Sequence, residues 1–351
     1  MQGKKDIEQV MKSLVEHIGR RIVHHWAVLQ CNPVTLSLIR LLSSKEKAKV
    51  SSPSKIADRN DLWNVVFLRV YKDILAWQKE EKRRVGISCS CCAPENYERI
   101  QSAYTQRVSH GGAPGSSRRL RYEMVWETVW TVANLDLKPG LRVADVGAEN
   151  SCLMPYFANL GCEAYGLDAF LGSYGEYFRE QILKYCHDST LVLDVARPDG
   201  SVQQARYRCE DATKMTIEDE FFDRIICLST IEHIPDDRSA AEEMARVLKP
   251  GGLLAITAPF GLSYSQKSDL PHRKGFDGKW FGDLGRIYSK DALFSRIIEP
   301  SGLELIGDCE FSLEPSRSKA HRLPGQSCEF ISAAIFLRKP HVTSDTKEDG
   351  D

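Results

Sequence analysis

The chain has 351 residues, 42% of them hydrophobic and 27% charged, and its 47 Lys and Arg nearly balance 48 Asp and Glu. That is the make-up of a soluble globular protein with ample core, long for a single domain, and no apolar run reaches the ~18 residues needed to span a membrane. Eleven cysteines, an odd count, with Cys152, Cys162, Cys186, Cys209 and Cys227 inside core-like segments, argue for reduced thiols packed as small apolar groups and against a disulfide framework.

The charge is uneven along the chain. Residues 1 to 121 hold 22 Lys and Arg against 11 Asp and Glu, and the remainder holds 25 against 37. A basic first third fits steering of an anionic substrate, nucleic acid or a membrane surface, but fits better a solvated helical surface docked on an acidic domain. The first residues mix acids and bases without a cleavable apolar core, so no signal peptide is expected and a cytoplasmic location follows.

Taken in order, Ile7, Val10, Met11, Leu14, His17, Ile18 and Ile22 recur at helical spacing, and so do Leu62, Val65, Val66, Leu68, Val70, Ile74 and Leu75. Between them Ser43 to Asn60, rich in Ser and Lys, reads as a linker. Cys89, Cys91 and Cys92 cluster, but structural zinc sites need paired ligand spacings and none follows, so exposed loop thiols and no metal are expected. Residues 108 to 117 form a glycine-rich break before a helix from Arg119 to Asn134. Trp26, Trp63, Trp77, Trp126 and Trp130 read as helix-packing anchors rather than a base-stacking platform.

From Leu141 the pattern changes to short β-branched runs alternating with helices. Leu141 to Val146 reads as a buried parallel strand with Asp145 near its carboxyl end. Gly147 can turn the chain sharply and let a ligand approach the backbone, and Ser151 can cap the helix that follows. A second strand, Cys162 to Leu167, ends at Asp168, about where an acid accepts hydrogen bonds from a ribose diol in dinucleotide folds. A third, Ala205 to Cys209, precedes Glu210-Asp211-Ala212. A fourth runs from Phe222 into Ser229-Thr230-Ile231-Glu232-His233-Ile234. A helix from Ala240 to Leu248 and a fifth strand, Leu253 to Thr257, follow. Leu303 to Asp308 and Ile331 to Leu337 supply two last strands, and the tail 339–351 is polar enough to stay disordered.

The order Val-Ala-Asp-Val-Gly, Gly-Leu-Asp, Glu-Asp-Ala, Phe-Asp-Arg-Ile-Ile-Cys-Leu-Ser-Thr-Ile-Glu-His-Ile and Leu-Lys-Pro-Gly-Gly-Leu-Leu resembles the class I S-adenosylmethionine-dependent methyltransferases. The resemblance covers residues 136 to 338. Where the family has Asp-x-Gly-x-Gly-x-Gly, this chain has Asp145, Gly147, Glu149 and Ser151, a variant cofactor loop. The resemblance implies an α/β fold, a seven-stranded, mostly parallel doubly wound sheet of Rossmann-like type, with residues 1–135 as a helical N-terminal extension covering the acceptor site.

It also implies roles. Gly147 and its turn would contact the methionine part of S-adenosyl-L-methionine, and Asp145 would hold its amino group. Asp168 would bind the ribose. Asp211, with the backbone of Ala212, would read the adenine edge, and Ser229 belongs to the same cofactor-binding set. Glu149 points to solvent or replaces a contact to the cofactor's amino group. By itself, each acid fits a turn or a helix cap as well. His233 is the candidate general base, against the alternative that the Glu-His-Ile segment only orients the loop and catalysis is by proximity.

A loop through His272, Arg273, Lys274, Phe276, Asp277 and Trp280 suits an acceptor wall. The motifs of base-methylating enzymes are missing after the fourth strand, so there is no nucleic-acid signal. The expected acceptor is a hydroxyl or carboxyl of a small molecule, sugar or lipid-linked intermediate. Two other classes stay open. One is an inactive cofactor-binding or scaffold module. The other is a nicotinamide-linked oxidoreductase, disfavoured by the absence of a Gly-x-Gly-x-x-Gly turn.

Overall fold

The computed structural model describes residues 52–57, 61, 65–81, 88–89, 122–148, 153–170, 175–261, 285–307, 311, 321–322 and 329–341. The expected helix near the amino terminus, Glu149, Ser151, Cys91, Cys92, the acceptor-wall residues from His272 to Trp280 and the last ten residues lie outside them.

In chain order the strands are β1 (Lys55–Ile56), β2 (Ser88–Cys89), β3 (Arg142–Val146), β4 (Glu163–Asp168), β5 (Thr190–Ala196), β6 (Val202–Cys209), β7 (Phe222–Leu228), β8 (Leu248–Gly261), β9 (Glu304–Leu305), β10 (His321–Arg322) and β11 (Glu329–Arg338). The helices are α1 (Val65–Glu81), α2 (Tyr122–Asn134), α3 (Leu153–Asn159), α4 (Gly175–Tyr185), α5 (Asp237–Val247) and α6 (Lys290–Leu293). The strands form one sheet in the order β1-β11-β8-β7-β3-β4-β6-β5-β2, with β9 and β10 also pairing with β11. Its centre, β8-β7-β3-β4-β6, is parallel throughout. The seven expected strands are present, and β1, β2, β5 and β10 extend the sheet beyond them.

The burial of each strand follows its position. The central β3 is buried at Val143, Ala144, Asp145 and Val146 in succession, because helices cover both faces of a parallel sheet. In contrast β5 alternates, with Leu191, Leu193 and Val195 inward, and pairs antiparallel with β6 from Thr190↔Arg208 to Ala196↔Val202. The turn of this hairpin is held by Arg197 N–H to Ser201 O (2.8 Å) and by the Asp199 carboxylate accepting from Ser201 N–H (3.0 Å). A period-two run on each side of Pro198-Asp199-Gly200-Ser201 is the sequence signal for it.

Other boundaries move for local reasons. The Asp236 side chain caps Ser239 N–H, so α5 begins at Asp237, ahead of the expected Ala240. The strand expected at Leu253–Thr257 extends to Leu248–Gly261 because β11 pairs along it from Leu253 to Gly261. Part of the expected linker is ordered in the sheet: Ser54 donates to Ile306 O (2.6 Å), and Lys55–Ile56 pair antiparallel with Ala334 and Ala333. A strand edge on β11 takes a partner there, where the sequence shows only a Ser- and Lys-rich stretch.

The helices before β3 share the core of the sheet. Phe67, Ile74 and Trp77 of α1 and Trp126, Val129 and Trp130 of α2 belong to the same buried cluster as β3, β7 and β11. Trp126 and Trp130 stack at 5.6 Å, and their indole N–H groups donate to Asp61 (2.9 Å) and Pro53 O (2.9 Å). These tryptophans are packing anchors with satisfied polar tips. Cys162, Cys186 and Cys227 are buried and Cys209 is half-buried, packed as small apolar groups. Among the described residues no helix is long and apolar enough to cross a membrane, and no three His, Cys, Asp or Glu side chains are grouped to hold a metal ion.

Candidate active site

Parallel pairing brings the carboxyl ends of β3, β4, β6 and β7 to one edge of the sheet. From β3 the chain winds one way through β4 and β6, and the other way through β7 and β8, so the switch point lies between β3 and β7. Ligands of open α/β sheets bind there.

Gly147 lies at that point. Its φ is +89°, and its N–H donates to Leu167 O (2.8 Å). A Cβ built on it would stand 2.2 Å from Thr230 Cγ2 and Oγ1 and 2.6 Å from Thr230 Cβ. Glycine is required twice over, by the left-handed backbone and by contact with the chain leaving β7. Asp145, two residues before, is buried near the end of β3.

Asp168 ends β4, and one of its carboxylate oxygens accepts from Phe170 N–H (2.5 Å), while its carbonyl accepts from Glu210 N–H (2.9 Å). The second bond ties the end of β4 to the start of the turn carrying Asp211. Asp211 itself is exposed, and its Oδ1 accepts from the N–H and hydroxyl of Thr213 (2.9 and 2.8 Å). Ala212 packs partly against the core. Its neighbour Glu210 is buried, accepting from Thr216 N–H and hydroxyl and pairing with Arg208 at 3.0 Å. The structure thus brings Asp145, Gly147, Asp168, Asp211 and Ala212 to neighbouring strand ends.

The chain leaving β7 carries the densest chemistry. Ser229 is held at φ +43°, a costly region for a side-chain-bearing residue. Its N–H donates to Thr257 O (3.1 Å) and Thr257 Oγ1 (3.0 Å), and its hydroxyl donates to Glu127 Oε2 (2.7 Å). Glu127 comes from α2, is buried, and also accepts from the Ser332 hydroxyl of β11. An acid of the helix that precedes β3 therefore reaches the end of β7. The apolar periodicity of that helix gave no hint of it.

Glu232 and His233 follow in a short 3-10 turn, Ile231–His233. Glu232 is buried, and its Oε2 has no hydrogen-bond partner among the described residues. Burial and the nearby charge of Glu127 push its carboxyl well above the ordinary range. His233 Nε2 lies 3.9 Å from Glu232 Oε1, and burial lowers the imidazole from 6.5 to about 4. At neutral pH this edge of the site holds a neutral histidine beside a carboxyl that resists ionisation.

Below it lies an ion network built on buried Asp237, Arg286 and Tyr288, with Arg296 half-buried at its rim. Asp237 accepts from Arg286 Nη1 (2.5 Å), the Tyr288 hydroxyl (2.9 Å), and Arg296 Nε and Nη2 (3.0 and 2.6 Å). Arg296 sits in a π-helical turn, Phe294–Ile298, that continues α6. None of these residues carries a motif that would single it out in the sequence.

A family model described as "Methyltransferase domain" matches residues 144–256. Ubiquinone biosynthesis O-methyltransferase from Coxiella burnetii is 29% identical over 117 residues, which is 33% of this chain and 42% of the relative. The protein of the same name from Xanthomonas oryzae pv. oryzae is 31% identical over 128 residues, 36% of this chain and 45% of the relative. The chain thus spans less than half the length of these relatives. Among solved structures, a SAM-dependent methyltransferase from Methanosarcina mazei is 16% identical with a TM-score of 0.38, over 60% of this chain and 97% of that one.

Proposed function

We propose that this chain, which carries a class I S-adenosylmethionine-dependent methyltransferase domain, transfers a methyl group to an oxygen of a small-molecule acceptor. The observation that carries the reading is the convergence of Gly147, Asp168, Asp211 and the Ser229–His233 segment on the switch point of the sheet. The residues present fit the family's cofactor. At Gly147 the backbone has no room for a side chain, and acids stand at the ends of three neighbouring strands.

In this reading Asp168 accepts from the ribose hydroxyls, Asp211 and the backbone of Ala212 face the adenine edge, and Asp145 with Gly147 lines the methionine end. Ser229, fixed by Glu127 and Thr257, sets the path of the chain along the reacting end. When bound, S-adenosylmethionine supplies an activated methyl group, so most of the protein's work is to hold the acceptor in line and near contact.

His233 is the base. Its imidazole is neutral at working pH because burial disfavours the charged form, so it is ready to take a proton from an acceptor hydroxyl. A carboxyl acceptor, already ionised, would leave His233 idle. A base at this place is needed only for a hydroxyl, and the names of the O-methyltransferase relatives support oxygen as the methylated atom. Sugars and lipid-linked intermediates with a free hydroxyl are within this class.

The test is calorimetric titration with S-adenosylmethionine and S-adenosylhomocysteine, followed by transfer of a labelled methyl group to a panel of hydroxyl and carboxyl acceptors. Binding in the micromolar range that is lost in Asp168→Ala, with label on hydroxyl acceptors only, is the expected result. Absence of binding at millimolar ligand, or of transfer to any hydroxyl, would overturn the reading.

A further inference from the structure

Residues 285 to 288 lie across the turn that carries His233. Arg286 N–H donates to Glu232 O (2.8 Å), Tyr288 N–H donates to Pro259 O (2.9 Å), and Gly261 N–H donates to Tyr288 O (2.9 Å). The side chains of Arg286 and Tyr288 point the other way, onto buried Asp237, five residues after Glu232. The segment is therefore fastened by its backbone above Glu232 and by its side chains at the start of α5.

The closest approach falls at Gly285. A Cβ there would be 2.4 Å from Glu232 O and 2.8 Å from His233 Nδ1, and the residue has φ +24°. A carbonyl fixed in the 3-10 turn cannot give way as a flexible side chain can. Either the strap lifts or the imidazole swings outward.

We propose that Gly285, with the Asp237–Arg286–Tyr288 anchor, forms a positioning strap that holds the half-buried His233 imidazole in one orientation. The proposal rests on His233 as the base of the proposed reaction, but its structural content is independent of turnover. None of these residues touches an acceptor. They act through the imidazole, covering its Nδ1 side and keeping it in one orientation. Among the described residues, the titratable and charged groups nearest to it are Glu232 on its own turn, Glu127 of α2 against Glu232, and on the strap side Arg286, whose charge is matched by Asp237. Burial rather than a neighbouring charge accounts for the depressed imidazole, so lifting the strap must raise it.

The experiment is an NMR titration of the His233 imidazole in the full chain, alongside kcat and KM, for the parent, Gly285→Ala and the milder Tyr288→Phe. In the parent the ring should titrate at about 4. In Gly285→Ala it should move toward 6.5, kcat should fall about tenfold or more because a misaligned imidazole loses its approach to the acceptor proton although it is the stronger base, and the KM for S-adenosylmethionine should hold. Tyr288→Phe should shift both in the same direction by less, and it decides the matter if Gly285→Ala does not fold. A folded variant of each kind with an unmoved His233 titration overturns the strap. Full turnover in His233→Ala would instead overturn the base, and the titration still decides the strap.

Discussion

Replacing Gly147 with alanine tests the cofactor crevice at its tightest point. The backbone there has φ +89°, and a side chain in the left-handed region costs about 1–2 kcal/mol. The added methyl would also stand 2.2 Å from Thr230 Cγ2 and Oγ1 and 2.6 Å from its Cβ. The first two atoms can rotate away; the third can move only with the backbone of the β7 exit. Over-packing of this kind adds about 1–3 kcal/mol, so the substitution should cost about 2–5 kcal/mol in all. Urea unfolding gives that cost, and calorimetric titration with S-adenosylmethionine should register at least about a tenfold loss of affinity. A double variant with Thr230→Ala separates the two causes. It removes the atoms at 2.2 Å but also the Thr230 hydroxyl bond to Leu228 O (3.0 Å). The pair should therefore couple favourably by about 1–2 kcal/mol without full recovery, since the backbone strain remains. Parent-like stability and affinity in Gly147→Ala, or no coupling to Thr230, would refute the close approach of β3 and β7.

Asp168→Ala should weaken S-adenosylmethionine binding by about 1–3 kcal/mol, and Asp168→Asn by less because it still accepts from Phe170 N–H; equal affinity in both and in the parent, by calorimetry, would remove the ribose assignment. His233→Ala should leave that affinity intact and lower kcat about a hundredfold, and in the parent the kcat profile should stay flat from pH 6 to 8 because the imidazole titrates at about 4. Stability should show two opposite slopes. For His233, lowered from 6.5, the unfolded chain binds the extra proton between about 4 and 6.5, so its contribution is complete above that window and is lost as pH falls through it. For Glu232, raised above 4.5, the folded chain holds the proton, so its contribution is present below 4.5 and fades as pH rises; Glu232→Gln should raise Tm more at pH 8 than at pH 5, and an equal change at both would contradict the assignment. Asp237→Ala leaves Arg286 buried without its carboxylate and should cost about 3–5 kcal/mol in denaturant unfolding, whereas a cost near zero would mean the pair is solvated.

What the sequence made legible follows from how each kind of information is written in it. The central strands could be read because burial on both faces forces continuous apolar runs, and the ends of those runs locate Asp145, Asp168, Asp211 and Ser229 along the chain. The hairpin of β5 and β6 carries a period-two pattern and a Pro-Asp-Gly-Ser turn, yet only its second strand is among those expected from the sequence. In contrast, the pairing of Lys55–Ile56 with β11 is a partner choice of two residues, too short for any periodicity to record.

The catalytic edge is less legible for a physical reason that concerns charge more than shape. His233 could be proposed from its place after β7, but its basicity is set by groups distant in the chain. Glu127 is 102 residues before Ser229 and looks like an ordinary polar position of an amphipathic helix. Once α2 docks on β7 and β11, that carboxylate accepts from Ser229 and Ser332, and its charge helps hold the proton on Glu232. The imidazole beside Glu232 is then kept neutral by burial, for which the return of the chain at Gly285 is one wall. Each of these terms is a desolvation or a pairwise interaction across more than fifty residues. The region before β3 thus does more than cover the sheet: through Glu127 it takes part in setting the protonation of the edge that carries Glu232 and His233.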